Sequence, residues 1–158
     1  PIAICELDWQ DPAAERRILE ALGCQLTDWI APNDTFTTCV IGHNVSAFDL
    51  RFLYQRSIVN GIRPHTTLAR AAQAKPWEGE KVFDTMVQWT GSAIVRISLD
   101  KLCKALSIPT PKDGITGATV WDAVQEGRID EVAAYCLKDV IATREAHKRM
   151  TFQIVQAA

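Results

Sequence analysis

The order of apolar and polar residues along the 158-residue chain predicts strands that alternate with helices. Residues 2–9 have the composition of a strand, and the β-branched run at residues 38–41 is expected to be a buried central strand. Residues 81–86 predict another short strand or strand end. Such alternation is typical of an α/β layered domain, and we find no internal repeat or domain boundary within residues 1–158.

Helices are predicted where apolar residues recur with a period near 3.6. The first begins at Asp11-Pro12, an N-cap followed by proline at the first helical position, and ends at Gly23. The second runs from about Ala47 to Gly61 and carries Asp49 in its first turn. Between the second helix and the strand at residues 81–86 we expect a long surface excursion with a helical turn. Further helices are expected at residues 98–106, 119–127 and 129–150.

Composition describes an ordinary globular chain, with 47% hydrophobic and 23% charged residues. No apolar run approaches the roughly 18 residues that span a bilayer, so we expect a cytoplasmic protein without membrane contact. The net charge of −2 gives no general attraction to phosphate. Nucleic-acid binding would therefore depend on a local basic surface or on bound metal ions. The five cysteines include no Cys-x-x-Cys pair and indicate neither a disulfide framework nor a zinc site.

Three residues have the chemistry of a phosphodiesterase site. Asp49 begins a helix just after a strand, whereas Tyr135 and Asp139, four positions apart, share one face of the last helix. Carboxylates are the ligands that Mg²⁺ and Mn²⁺ favour, and two such ions can activate water and stabilise the leaving oxygen. Taken singly, each residue also fits a simpler role: Asp49 can stabilise the helix dipole, and Asp139 can lie solvated on the helix surface.

Two segments resemble, in the expected order, motifs of the DnaQ-like 3′-5′ exonuclease superfamily. Residues 43–49 contain Asn-x-x-x-Phe-Asp, which is similar to its second motif, and residues 135–139 contain Tyr-x-x-x-Asp, which is similar to its third. The resemblance covers roughly residues 36–150 and is strongest to the predicted exonucleases similar to the proofreading domain of B-family polymerases. It implies the RNase H-like (DnaQ-like exonuclease) α/β fold, with a mixed sheet flanked by helices.

The resemblance also implies an activity: hydrolysis at nucleic-acid 3′ ends, expected to be single-stranded DNA, with two Mg²⁺ or Mn²⁺ ions. Asp139 would ligate the ion that activates water, Asp49 would act at the second ion, and Tyr135 would orient the attacking water. The tyrosine places the chain in the tyrosine subgroup of these four-carboxylate enzymes. Asn44 would contact the substrate or hold the loop, and Phe48 is expected to pack in the core.

The first motif of the superfamily, Asp-x-Glu on the first strand, is missing from this sequence. Its nearest substitute, Glu6-Leu7-Asp8, has the reversed order and ends only 35 residues before His43. Three explanations remain open: the first strands lie upstream, the protein is a non-catalytic relative, or Glu6 and Asp8 substitute in an altered site. We favour the first, because the chain begins at Pro1 without methionine, and we assign residues 2–9 to the third strand of the fold.

The missing motif keeps a second function in view, a catalytically inactive nucleic-acid-binding or scaffold module of the same fold. For Asp84 we expect either an acidic neighbour of the site or a strand-end or capping residue. Basic residues accompany both motifs and are either a strand-binding face or, more simply, solvated helix surface. They are Arg51, Arg56, Lys138, Arg144, Lys148 and Arg149.

Overall fold

A computed structural model of the chain describes residues 2–8, 10–75, 77–92, 94–110 and 114–153. The chain divides into two compact units. The first unit is Asp8–Asp84, and the second unit comprises Pro1–Leu7 and Thr85–Ala158. Each unit has its own group of buried apolar side chains, so each is described by itself.

The first unit places three helices around a small parallel sheet. Its elements are α1 (Ala14–Trp29), a 3₁₀ turn (Pro32–Asp34), β1 (Val40–Gly42), α2 (Asp49–Val59), α3 (Thr66–Ala72) and β2 (Val82–Asp84). Strands β1 and β2 run parallel, and Val40 pairs with Val82 and Gly42 with Asp84. The register therefore brings the ends of both strands to the same edge, where the turn into α2 begins.

Three predictions for the first unit need correction. Helix α1 continues through Gly23 to Trp29, because Leu22 and Leu26 carry its apolar face onto the core beyond the glycine. The segment predicted as a surface excursion has the expected helical turn, α3, but it is not all at the surface, because four of the seven residues of α3 are buried. Strand β1 is not a buried central strand: Ile41 is 43% exposed, and within the described residues β1 pairs with β2 alone.

The strand predicted at residues 2–9 is also wrong. Residues 2–8 form no strand, and residue 9 lies outside the described residues. Leu7 is 78% exposed and Ile2 is 57% exposed. An apolar run forms a strand only when a neighbour accepts its backbone hydrogen bonds, and no strand in the described part of the chain pairs with this segment.

The second unit is helical in the part that the structure describes. Its helices are α4 (Thr85–Thr90), α5 (Leu99–Ala105), α6 (Val120–Gln125) and α7 (Ile129–Met150). Ser98 caps α5 as predicted, since its Oγ accepts a hydrogen bond from the Lys101 amide. Helix α7 contacts α4, α5 and α6, and its predicted bounds are confirmed. Helix α4 was not predicted, because its first residues were assigned to the preceding strand.

The α/β class is confirmed in coarse form, as a small parallel sheet with surrounding helices. None of the helices in the described ranges is long and apolar enough to cross a membrane.

Candidate active-site residues

A tight turn at residues 44–49 connects β1 to α2 and delivers Asp49. Asn44 adopts the left-handed conformation, with φ of 59°. At Gly42 an added Cβ would lie 2.4 Å from the Cβ of Val45, so the turn requires glycine there. Val45 is buried in the same core as Leu50, and the Leu50 amide donates to the Val45 carbonyl at 2.9 Å. The turn is therefore folded back tightly against the end of β1.

Asp84, the last residue of β2, holds this turn from inside the first unit. Its side chain is 97% buried, with 3% of its surface exposed. One carboxylate oxygen accepts the Asn44 amide at 2.9 Å, and the other accepts the Ser46 amide at 3.0 Å. Asp84 thus has the strand-end role, although it binds a turn rather than capping a helix. Its negative charge also raises the pKa of Asp49, and its role as an acidic neighbour of a catalytic site stays a prediction.

Asp49 lies in the first turn of α2, as predicted, and its side chain is exposed. Partial desolvation by neighbouring atoms raises the pKa of its carboxyl group, and the negative charge of Asp84 raises it further. A cation beside Asp49 would oppose both effects. The surroundings of Asp49 therefore disfavour its charged form more than those of an isolated surface carboxylate would.

Asn44 and Phe48, the other two residues of the second motif, differ in exposure. The Oδ1 atom of Asn44 is buried and lacks a hydrogen-bond partner within the described residues. A buried acceptor without a partner calls for an explanation, such as an ordered water or a bound group. Phe48 was expected to pack in the core, and this is wrong: it is 63% exposed and stacks on Phe52, with ring centroids 6.4 Å apart. It precedes α2 on the outer face, because Val45 and Leu50 fill the core at this point.

Tyr135 and Asp139 lie one turn apart on α7, in the second unit, and contact each other as their spacing predicts. Desolvation raises the pKa of the Tyr135 phenol, and the charge of Asp139 and hydrogen bonding to its carboxylate raise it further. Both side chains line a cleft of about 190 Å³, together with Ser98, Leu99, Asp100, Ile115, Thr116 and Gly117.

Sequence reasoning missed Asp100 as a member of this cleft. It is 7% exposed, lies in the first turn of α5, and forms an ion pair with Lys104 at 3.0 Å. Desolvation raises the pKa of the Cys103 thiol, and the charges of Asp100 and Asp139 raise it further. A carboxylate two residues after a serine N-cap reads as a residue that stabilises the helix dipole, so the sequence held no signal of its burial.

Within the described residues, the carboxylates that could hold a metal ion form groups of only two. Asp84 lies near Asp49 in the first unit, whereas Asp100 and Asp139 line one cleft in the second. No group of three or more His, Cys, Asp or Glu side chains in the described ranges is arranged to hold a metal ion. Glu6 and Asp8 lie in a segment without regular structure. The available oxygen ligands fit Mg²⁺ or Mn²⁺ in type, as partial ligand sets.

Comparison with known families covers both motifs. A family model described as "Predicted 3'-5' exonuclease related to the exonuclease domain of PolB" matches residues 26–153, which is most of the chain. Neither the curated proteins nor the solved structures gave a match. The matched range contains Asn44, Asp49, Asp84, Tyr135 and Asp139. The chain therefore belongs to the family of predicted 3′-5′ exonucleases related to the exonuclease domain of PolB.

Proposed function

We propose that the chain acts as a metal-dependent 3′-5′ exonuclease that hydrolyses phosphodiester bonds at single-stranded DNA 3′ ends. Membership in an exonuclease family supports a nuclease and a nucleic-acid substrate. The observation that carries the proposal is that Tyr135 and Asp139 lie one turn apart on α7 and line the same cleft. A tyrosine and an aspartate one turn apart on a helix can supply both a group that orients water and an oxygen that binds a metal ion.

Asp139 and Asp49 are the proposed ligands of Mg²⁺ or Mn²⁺. Divalent ions supply Lewis acidity, which makes bound water more nucleophilic and stabilises negative charge on phosphate oxygens. For Asp49 the support is electrostatic, because its carboxylate lies within reach of the negative charge of Asp84. For Asp139 the support is its place in the cleft beside Asp100.

Tyr135 is proposed to orient the attacking water rather than to remove its proton. Its raised phenol pKa keeps the hydroxyl protonated at neutral pH, so it cannot serve as a general base there. A protonated phenol can donate to Asp139, one turn away, while its oxygen accepts a hydrogen bond from water. This orientation aligns the water for attack on phosphorus.

The surface around Asp49 supports a single-stranded substrate. Phe48 and Phe52 form an exposed, nearly parallel aromatic pair, with 13° between the ring planes. Aromatic side chains of this kind stack on unpaired bases. The buried Asn44 Oδ1 is the proposed acceptor for a hydroxyl or amino group of the terminal nucleotide.

Digestion of a 5′-labelled single-stranded oligonucleotide tests the proposal. With Mn²⁺ the full chain should produce a ladder that shortens from the 3′ end, and a chelator should abolish it. Asp49→Asn and Asp139→Asn should each lower the rate at least about a hundredfold, because loss of a group that only orients a metal ligand already costs about 10–100-fold. Asp130→Asn, an exposed acid in the first turn of α7, is the matched control and should cut normally. Normal cutting by both test variants would contradict the assignment.

A second candidate function is a nucleic-acid-binding module of the same fold without catalysis. The grouping of carboxylates in twos within the described residues favours it. It predicts that the chain retards the labelled oligonucleotide in a gel without shortening it, with or without Mn²⁺. Retardation together with a metal-dependent ladder would instead support the enzyme.

A further inference from the structure

The buried carboxylate of Asp84, at the end of β2, accepts hydrogen bonds from a turn outside its own strand. We infer that Asp84 is a positioning residue, whose carboxylate fixes the turn at residues 44–49 and so sets the places of Asn44 and Asp49. Its consequence for catalysis rests on the proposed exonuclease function. Its consequence for the turn is independent of that function.

The first step is the length of chain that Asp84 bridges. Its two oxygens reach amides that precede it by 40 residues at Asn44 and 38 residues at Ser46. The parallel register pairs Asp84 with Gly42, so the carboxylate lies beside the end of β1 where the turn starts. A single side chain thus ties the exit of one strand to the exit of its neighbour.

The second step is that the turn needs such support. Asn44 adopts the left-handed conformation, which Asn tolerates better than most residues but which still disfavours an L side chain, and its amide donates to the Asp84 carboxylate. Two amides two residues apart then point at one anion, an arrangement that also forms anion-binding concavities in other backbones. Because each oxygen receives one amide, removal of either acceptor leaves a part-buried N–H without its partner.

The third step separates positioning from mere stabilisation. Asp84→Asn keeps the shape of the side chain but turns one acceptor into an NH₂ group, which faces a backbone N–H. Glu15→Gln is a matched control in the same unit, because the Glu15 carboxylate also accepts hydrogen bonds at both oxygens, from Arg56 and Asn60. Glu15 joins α1 to α2 and does not touch the turn.

The experiment compares the wild-type chain with both variants by thermal unfolding, amide hydrogen exchange and the Mn²⁺-dependent nuclease assay. Asp84→Asn should accelerate exchange at the amides of residues 44 and 46 and lower kcat at least about tenfold, as loss of a supporting partner does in other metal sites. Glu15→Gln should lose stability while kcat and the exchange of those two amides stay at wild-type values. Asp84→Glu, which keeps two acceptors, should recover part of the lost turnover.

Each result decides something. Wild-type kcat in Asp84→Asn, despite rapid exchange at residues 44 and 46, would overturn the positioning role and leave a structural one. An inactive wild-type chain would sink the proposed function alone, and the exchange measurement would still judge the turn. If Asp84→Asn does not fold, the wild-type chain suffices: amides 44 and 46 that exchange as fast as an unfolded peptide would refute the inference.

Discussion

The two units place their candidate acids by different means. In the first unit, Asp49 depends on a turn held by hydrogen bonds to Asp84, far along the chain. In the second unit, Tyr135 and Asp139 meet because they are one turn apart on a single helix. A helix needs no distant partner to bring such a pair together, whereas the turn needs a strand register, a glycine and a buried carboxylate. The Tyr135 and Asp139 pair on α7 should therefore tolerate substitutions of neighbouring residues better than the turn at residues 44–49 does.

The Tyr135 and Asp139 pair nevertheless depends on the packing of α7, and loss of that packing should destabilise the second unit. Leu102 of α5 is fully buried in the cluster that includes Ala142 and Ala146 of α7. Leu102→Ala should lower the free energy of unfolding by about 2–5 kcal/mol through lost burial and a residual cavity. Urea denaturation measures it. Val140→Ala, at a 57% exposed position of α7, should change stability by no more than about 0.5 kcal/mol.

A single methyl group added at Gly42 should destabilise the turn. Gly42→Ala places a Cβ 2.4 Å from the Cβ of Val45. The Val45 Cβ cannot move away freely, because it is bonded directly to the backbone. We expect a loss of about 1–3 kcal/mol in unfolding free energy, the usual cost of overpacking. Gly23→Ala is the opposite case, since its Cβ would meet nothing within 4 Å in the middle of α1.

That control should raise stability by about 0.5–1 kcal/mol, because alanine favours helix more than glycine does. Equal effects of the two substitutions, measured side by side by urea denaturation, would show that the turn is not as tightly packed as the structure indicates.

The chemical role of the helix pair can be tested without disturbing its packing. Tyr135→Phe removes only the hydroxyl that donates to Asp139, so kcat should fall about tenfold or more while the unfolding midpoint changes little. Tyr54→Phe is a control with the same chemistry, because the Tyr54 hydroxyl accepts a surface hydrogen bond from Gln73. A similar loss of turnover in both variants would argue against a specific role for Tyr135.

What could be predicted from the sequence follows the same division. The bounds of α7, the Ser98 cap and the Tyr135 contact with Asp139 depend on neighbours within a few residues, and all were predicted correctly. The resemblance to predicted exonucleases similar to the proofreading domain of B-family polymerases was confirmed by the family match over residues 26–153. The catalytic and metal-binding roles of Asp49 and Asp139 stay predictions.

Features that depend on distant partners were missed. The burial of Asp84 and Asp100 follows from strand register and helix packing, which no local pattern encodes. Phe48 was expected in the core on the basis of its motif, yet it is 63% exposed, whereas its neighbours Val45 and Leu50 are buried. Residues 2–8 have strand composition but no strand partner in the described part of the chain.

The smallest effect that we expect concerns pH and the polar contact between α1 and α2. Hydrogen bonds from Arg56 and Asn60 lower the pKa of Glu15 from 4.5 to about 2. Because the folded-state pKa is depressed, the stabilisation is complete above pH 4.5 and is lost as the pH falls toward about 2. The Glu15 side chain is 36% exposed, so solvent screening should limit the contribution to about 1 kcal/mol. Urea denaturation from neutral pH down to about 2 should show a shallower acid loss in Glu15→Gln than in the wild type, and Arg56→Gln should flatten it similarly. Parallel curves for all three proteins would mean that the Glu15 contact between α1 and α2 adds no measurable stability to the first unit.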